Sequence, residues 1–221
     1  MEPGKSCANN LAAPPRFCSP ARLKRLLFLI PLLLAVAVCA EDCAAKIATL
    51  IDPAKLATLG KRGADSRVQK CVYWLAEARK EGQSPKKVAQ AAVSKAGYKK
   101  KAAALTKAAL LRNLDIAEKL GFLDADGMAK MRSGSAPTVR KGPYAGGIAS
   151  VDHIIPRAVA PELDNVIANL ELLPLTVNES KNDKIGDRQR HLAKKFYAAG
   201  LLSDAGLKAV ESRNNALHQP L

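Results

Sequence analysis

Apolar residues recur at spacings of three and four through residues 43–132, which is the pattern of helices that each bury one face. Asp52-Pro53 and Ser84-Pro85 each place a capping side chain before a proline at the first helical position, so both pairs mark helix starts. The pattern predicts four or five short helices that pack as a small bundle.

The helical periodicity ends in a segment rich in Gly and Pro, residues 136–147, which predicts a linker. Two short apolar runs follow, over residues 148–153 and 170–173, and each is bounded by loop residues, as strands are. A helix is expected to begin near Thr176–Asn178. The pattern therefore predicts an α+β fold that is mainly α, and further helices are expected towards the C-terminus.

The predicted elements divide the chain into a helical domain over residues 41–135, the linker, and a second domain over residues 148–215. Ahead of them, residues 1–40 are interpreted as a signal peptide with an extended n-region. Residues 1–20 have an alternative interpretation, which is that they reflect the choice of start codon.

Residues 21–40 have the three-part form of a secretory signal, with a basic flank, the apolar run Leu26–Val38 and short residues before Ala40. Cleavage after Ala40 predicts a secreted or periplasmic protein with no stable membrane association. Two alternatives stay open: a lipoprotein attached through Cys39, and an uncleaved N-terminal membrane anchor with the domain outside. All three interpretations export the rest of the chain.

Charge adds a constraint on partners, because 35 Lys and Arg against 20 Asp and Glu give a formal net charge of +15. Such a surplus favours a polyanion through phosphate contacts and counterion release, although a soluble protein with a basic surface would share it. Basic runs at residues 61–62, 86–87 and 99–101 are candidate phosphate contacts; a solvated helix face is the commoner meaning of such runs.

The cysteines suggest how the helical domain is stabilised. Of the chain's five cysteines, only Cys43 and Cys71 lie beyond residue 40. Two cysteines in an exported chain predict a disulfide, which would contribute about 3–4 kcal/mol in the chain-entropy model. The alternative is a pair of buried thiols. No Cys-x-x-Cys pair occurs anywhere in the chain, so no structural zinc is expected.

Candidate chemistry concentrates between residues 151 and 184. Asp152 and His153 precede Ile-Ile-Pro, and Asn169 precedes Leu-Glu-Leu-Leu. Asn178 follows Asn169 by nine residues, and Lys181 follows Asn178 by three. Each residue alone has an ordinary structural explanation, such as a buried histidine or a turn-forming asparagine. Their conjunction in one strand–loop–strand–helix frame is much more specific.

This conjunction resembles the HNH endonuclease family, over about residues 140–200. The resemblance implies a ββα-metal fold, in which two strands and a helix surround one divalent cation, and metal-dependent hydrolysis of phosphodiester bonds. Many relatives also carry a structural zinc held by Cys-x-x-Cys pairs. The corresponding places after Asn169 are Pro174 and Val177 here.

The resemblance implies that His153 is the general base, that Asp152 is a metal ligand and that Asn169 braces the loop as part of the catalytic apparatus. It also implies that Asn178 corresponds to the last metal ligand, a position that is often a second histidine in the family, and that Lys181 lies near phosphate. A histidine is largely neutral at pH 7 and accepts a proton, and oxygen ligands favour Mg²⁺ or Mn²⁺. Because neighbours in a strand point to opposite faces, Asp152 and His153 are expected to divide these roles.

Arg140 and Arg188 are further candidates for phosphate or substrate binding, whereas His191 on a basic helix is expected to be a surface residue. The sequence thus predicts an exported HNH-type endonuclease that uses one divalent cation and acts on nucleic acid, DNA favoured over RNA. The alternative is an exported nucleic-acid-binding protein that keeps the fold without catalysis.

Overall fold

A computed structural model describes residues 42–213 of the chain, and the predicted signal segment lies outside these residues. The described chain is mainly helical and contains one small antiparallel sheet of two strands, which confirms the predicted α+β, mainly α class. None of the helices between residues 42 and 213 combines the length and the apolar character that a membrane crossing requires.

Six helices precede the strands in the described chain. They are α1, described over 42–51, α2 (Pro53–Ala57), α3 (Asp65–Lys80), α4 (Pro85–Lys95), α5 (Lys100–Lys119) and α6 (Ala125–Ser133). The prediction of four or five short helices was wrong in number and in length. Helices α3 and α5 have 16 and 20 residues, because no Gly or Pro interrupts either of them. Asp52 caps α2, its carboxylate accepting from the backbone N–H of Ala54 at 3.0 Å.

The two strands are β1 (Ala149–His153) and β2 (Leu170–Pro174). They confirm the strands predicted from the two apolar runs. They pair antiparallel, in a register that sets Asp152 opposite Glu171 and His153 opposite Leu170. The loop between them carries two 3₁₀ turns, Pro161–Leu163 and Ile167–Asn169.

Helix α7 (Leu175–Lys181) follows β2 directly, so the order strand, strand, helix is that expected from the sequence. Two further helices, α8 (Asp187–Ala198) and α9 (Asp204–Ser212), complete the described chain. Ser203 caps α9, because its hydroxyl accepts from the backbone N–H of Gly206 at 3.0 Å.

The apolar core joins the strands to the helices before them. A first cluster of buried side chains includes Ile47 and Leu75 from the helices together with Val151 and Leu172 from the strands. A second cluster, which includes Phe196 of α8, packs the inter-strand loop against α8 and α9. Burial of apolar surface therefore holds the strands against the helices that precede them in sequence, and the inter-strand loop against the helices that follow.

Helix α5 also completes the hydrogen bonding of β2. The buried Asn113 side chain accepts from the Leu172 N–H at 2.7 Å and donates to the Leu170 carbonyl at 3.0 Å. Because β2 pairs with β1 on only one side, these bonds satisfy backbone groups on its other edge. The side chain of Arg112 donates to the same Leu170 carbonyl at 3.2 Å. Helix α5 therefore fixes the position of β2.

Cys43 and Cys71 both lie in the first apolar cluster. In the described part of the chain Cys43 and Cys71 are not bonded to each other, and burial raises the pKa of the Cys71 thiol. The disulfide between them stays a prediction, because it depends on the predicted export to an oxidising compartment.

Candidate active site

A cavity of about 320 Å³ lies where β1 ends and α7 passes beside it. Asp152, His153 and Asn178 all line this cavity, so the structure brings together three residues that the sequence singled out. Asp152 and His153 share it although neighbours in a strand alternate, because His153 is the last residue of β1 and the chain bends directly after it.

The His153 imidazole is held by Asp164 in the inter-strand loop. Its Nε2 atom lies 2.9 Å from both the backbone carbonyl oxygen and the carboxylate Oδ1 of Asp164. Both partners are acceptors, so Nε2 carries the proton in the neutral ring and Nδ1 keeps its lone pair. This tautomer makes Nδ1 the atom of His153 that can accept a proton from water.

The Asp152 carboxylate is buried, with 4% of the residue exposed, and it forms an ion pair with Lys181 of α7 through Oδ2. The Lys181 ammonium also donates to the His153 carbonyl at 2.5 Å. Burial raises the pKa of the Asp152 carboxyl above its ordinary value, and Lys181 acts in the opposite direction. The Lys181 contact engages one carboxylate oxygen, so Oδ1 is the atom of Asp152 that could bind a cation.

Asn178 occupies the fourth position of α7, close to the helix start that the sequence predicts. Its Nδ2 atom donates to the Ser150 hydroxyl of β1 at 3.0 Å. The bond commits the amide nitrogen to the protein and leaves Oδ1 as the atom that could bind a cation. Asp152 and Asn178 can therefore each offer one oxygen to the same cavity.

This donor set fits a hard divalent cation rather than zinc. Mg²⁺ keeps several waters in proteins and needs only one or two side-chain oxygens, with substrate phosphate completing its shell. Within residues 42–213, no three His, Cys, Asp or Glu side chains gather in a metal-binding arrangement. A site built from one carboxylate and one amide has fewer such ligands than three, and the predicted Mg²⁺ or Mn²⁺ stays a prediction.

Asn169 does not line the cavity; it braces the loop that leads away from His153. Its fully buried side chain accepts from the Ile155 N–H at 2.8 Å and donates to the Ile155 carbonyl at 2.9 Å. These bonds satisfy both backbone groups of a buried residue two positions after His153. Asn169 therefore acts on the histidine indirectly, through the backbone between them.

We expect Asn169→Ala to destabilise the protein, because it leaves the buried Ile155 N–H and carbonyl without partners. At about 1–3 kcal/mol for each of these two groups, the free energy of unfolding should fall by roughly 2–6 kcal/mol. Urea denaturation followed by circular dichroism measures the change, with the exposed Thr49→Ala as a control. Equal stability of the two variants would show that the loop does not depend on this amide.

Arg62, from the loop before α3, reaches the cavity from the helical region. Its Nη2 donates to the Val151 carbonyl at 3.0 Å, and its Nε donates to Asp65 at 2.8 Å. The backbone N–H of Arg62 also contacts the Asp164 carboxylate at 3.3 Å. These contacts hold the guanidinium beside β1 while half of the side chain stays exposed.

A second arginine, Arg157, lines the same cavity.

Backbone strain concentrates at this cavity. Three non-glycine residues between 42 and 213 have a positive φ, and two of them, Arg62 (56°) and Asn182 (51°), line it. Such conformations cost on the order of 1–3 kcal/mol and are typical of functional sites. The third, Lys100, lies at the start of α5.

The remaining candidates for phosphate binding lie outside the cavity lining. Arg140 forms ion pairs with Asp124 and Asp126 at 2.9 and 2.8 Å. Arg188 makes two bonds to the buried Glu171, at 2.8 and 2.5 Å, and these bonds raise the pKa of its guanidinium. The roles in substrate binding assigned to these residues from the sequence stay predictions. His191 is exposed, as the sequence predicts.

Asp164 and Arg157 are site residues that the sequence did not single out, and Arg62 was noted only as a member of a basic run. Asp164 contacts His153, which lies 11 positions before it in the sequence, and Arg62, which lies 102 positions before it. No local sequence pattern predicts either contact. The basic run at 61–62 is the one signal for Arg62, and other basic runs in the chain have the same appearance.

Comparisons of this chain with protein-family models, with curated proteins and with solved structures found no match.

Proposed function

We propose that the protein is an exported, divalent-metal-dependent endonuclease of the HNH type, with a ββα-metal site. It hydrolyses phosphodiester bonds of nucleic acid, and DNA is the favoured substrate. The observation that carries the proposal is the meeting of Asp152, His153 and Asn178 in one cavity, with Nε2 of the histidine held by Asp164. These are the groups that phosphodiester hydrolysis needs: a base and oxygen ligands for a cation.

In the proposed reaction, His153 Nδ1 accepts a proton as water attacks the phosphorus. The new bond joins the water oxygen to phosphorus, and the bond to the leaving sugar oxygen breaks as that oxygen takes the electron pair. Asp164 keeps the Nε2 proton in place and neutralises the imidazolium that forms. This division of work resembles a carboxylate-oriented histidine base, in which the carboxylate itself takes up no proton.

A divalent cation held by Asp152 Oδ1 and Asn178 Oδ1 would supply Lewis acidity and neutralise charge on phosphate. The protein fixes these ligands from two sides. Lys181 holds the other Asp152 oxygen, and Ser150 holds the Asn178 amide nitrogen. Both oxygens are therefore oriented by the protein before a cation binds, which reduces the reorganisation needed during the reaction.

Arg62 is the phosphate-binding group that the geometry favours. Its Nε and Nη2 already hold protein acceptors, and the remaining guanidinium donors are available at a half-exposed side chain. An arginine locked in this way binds a phosphate oxygen with little loss of side-chain entropy.

We expect Arg62→Ala to lower kcat/KM for DNA cleavage by about 10–100-fold, the effect of losing one charge-assisted hydrogen bond. Steady-state cleavage of a labelled duplex measures it. The matched control is Arg79→Ala, which removes an arginine of α3 that pairs with Glu118 on the surface. If both variants lose the same small fraction of activity, Arg62 contributes only net charge and its assigned role is wrong.

Export is part of the proposal and rests on the signal-like residues 21–40. An oxidising compartment would allow the Cys43–Cys71 disulfide. Secretion is tested by expressing the full chain and sequencing the N-terminus of the released protein. A new N-terminus at Glu41 supports the proposed signal, and retention of the intact chain in the cytoplasm contradicts it.

The catalytic proposal is tested by incubating labelled duplex DNA, single-stranded DNA and RNA with the purified protein and Mg²⁺. Cleavage of any of these supports the proposal and identifies the substrate. Binding of all three without cleavage, with Mn²⁺ as well as Mg²⁺, favours the alternative of a non-catalytic nucleic-acid-binding protein.

A further inference from the structure

A long stretch of the helical region contains no acidic residue. Between Glu81 and Asp115 the chain has seven lysines and one arginine and not one Asp or Glu. This stretch forms α4 and most of α5, and it supplies eight positive charges to a chain whose formal net charge is +15. Basic charge is therefore concentrated on one helical hairpin of the protein.

Lysines from both helices of this hairpin face one groove. The groove has a volume of about 550 Å³, and the polar residues that line it are Ser84, Lys86, Lys87, Gln90, Ser94 and Lys107. Lys107 of α5 donates to Gln90 of α4 at 2.8 Å across it. In the described part of the chain, no carboxylate pairs with Lys86, Lys87 or Lys107. Convergence from two helices distinguishes this groove from the solvated face of a single helix.

The start of α4, which lines this groove, adds a second observation. Helix dipoles favour anions at the N-terminus, yet the first turn of α4 carries Lys86 and Lys87 and no acidic residue, and the N-cap Ser84 forms no side-chain capping hydrogen bond. A phosphate bound there would be favoured by the two lysines and by the helix dipole together.

We propose that the α4–α5 groove, defined by Lys86, Lys87 and Lys107, is a second nucleic-acid-binding surface that contacts the phosphate backbone outside the cleavage cavity. The choice of partner rests on the proposed function. None of the residues that line the groove is aromatic, and lysine is a point charge, so the groove contacts phosphates and does not read bases. Helix α4, at about 1.5 Å per residue, is long enough to follow several phosphates of a duplex.

The surface is tested by DNA binding in a protein that carries His153→Ala, so that cleavage does not interfere. A variant with Lys86→Gln, Lys87→Gln and Lys107→Gln is compared with a control variant in which Lys80, Lys119 and Lys208 become Gln. The control removes the same charge from exposed lysines that pair with nearby acids. The dissociation constant for a short duplex is measured over a range of salt concentrations.

We expect the groove variant to bind DNA about tenfold more weakly, with a slope of log K against log salt that is smaller by about two to three. The control should change neither quantity by a comparable amount. Equal effects of the two variants, or no DNA binding by the parent protein, would overturn the proposal. Phosphatidylserine vesicles serve as a second anionic probe. The proposal would also be overturned if the groove variant bound DNA as the parent protein does and lost binding only to these vesicles. Because binding is measured without cleavage, a failure of the catalytic proposal would leave this result interpretable.

Discussion

We expect His153→Ala to lower the rate of DNA cleavage by about 10²–10⁴-fold, because the substitution removes the group that we propose accepts the proton of the attacking water. The ring is held at Nε2 by two acceptors of Asp164, and its Nδ1 atom is the proton acceptor in that tautomer. Single-turnover cleavage of a labelled duplex at saturating protein isolates the chemical step from substrate binding.

The matched control for this prediction is His191→Ala, which removes an exposed histidine of α8. His153 is 8% exposed, so truncation to alanine also risks a loss of packing. His153→Gln, which keeps a polar side chain of similar length, serves as a second variant, and circular dichroism checks the fold of each. Full activity in a folded His153→Gln protein would show that another group is the base.

The second large effect is expected from Asp152→Asn, which should lower Mg²⁺-dependent cleavage by at least about 10²-fold, since the proposed carboxylate ligand is lost. Either substitution removes the counter-ion of the buried Lys181 ammonium, and loss of one partner of a buried pair costs about 3–5 kcal/mol. Asparagine is the better test than alanine because its amide oxygen can still accept from Lys181. Circular dichroism of the Asp152→Asn protein separates unfolding from loss of metal binding.

Metal binding itself provides a readout that does not depend on activity. The amount of Mn²⁺ bound per protein, measured from the signal of free Mn²⁺ by electron paramagnetic resonance, should fall in the Asp152→Asn protein. Asp126→Asn, on the surface of α6, is the matched control and should bind as the unaltered protein does. Unchanged Mn²⁺ binding in both variants would remove Asp152 from the list of ligands.

The strand–strand–helix frame could be predicted from the sequence because its signals are local. The strands are short apolar runs, Pro156 and the following loop separate them, and α7 starts where the apolar run of β2 ends. The coarse class of the fold followed from the same patterns. Helix length was less predictable. Helices α3 and α5 continue through polar stretches where the apolar periodicity is weak, so the pattern did not show how far each helix extends.

Contacts between distant parts of the chain could not be predicted in the same way. The bond from Arg62 to Val151 spans 89 positions, and the bonds from Asn113 to β2 span 57 and 59. These contacts make the helical region part of the site, whereas the sequence predicted a separate small helical bundle before the linker. They depend on tertiary packing, which a single sequence does not report.

Lys181 illustrates how burial changes an interpretation. From the sequence it is a basic residue near phosphate; in the structure it is 8% exposed and pairs with Asp152. A lysine with so little exposure needs a counter-ion close by. Its charge therefore orients the carboxylate of Asp152. Spacing along α7 could place Lys181 near the site, but it could not identify the partner.

The measurement that tests the central claim most directly is cleavage of supercoiled plasmid DNA by the purified protein, with Mg²⁺, with EDTA, and with Mg²⁺ restored in excess after EDTA. We expect nicked and linear plasmid with Mg²⁺, intact plasmid with EDTA, and recovery of cleavage when the cation returns. Cleavage that continues in EDTA would contradict a mechanism that depends on a divalent cation. Intact plasmid under every condition, together with intact RNA in parallel samples, would contradict the proposed nuclease activity itself.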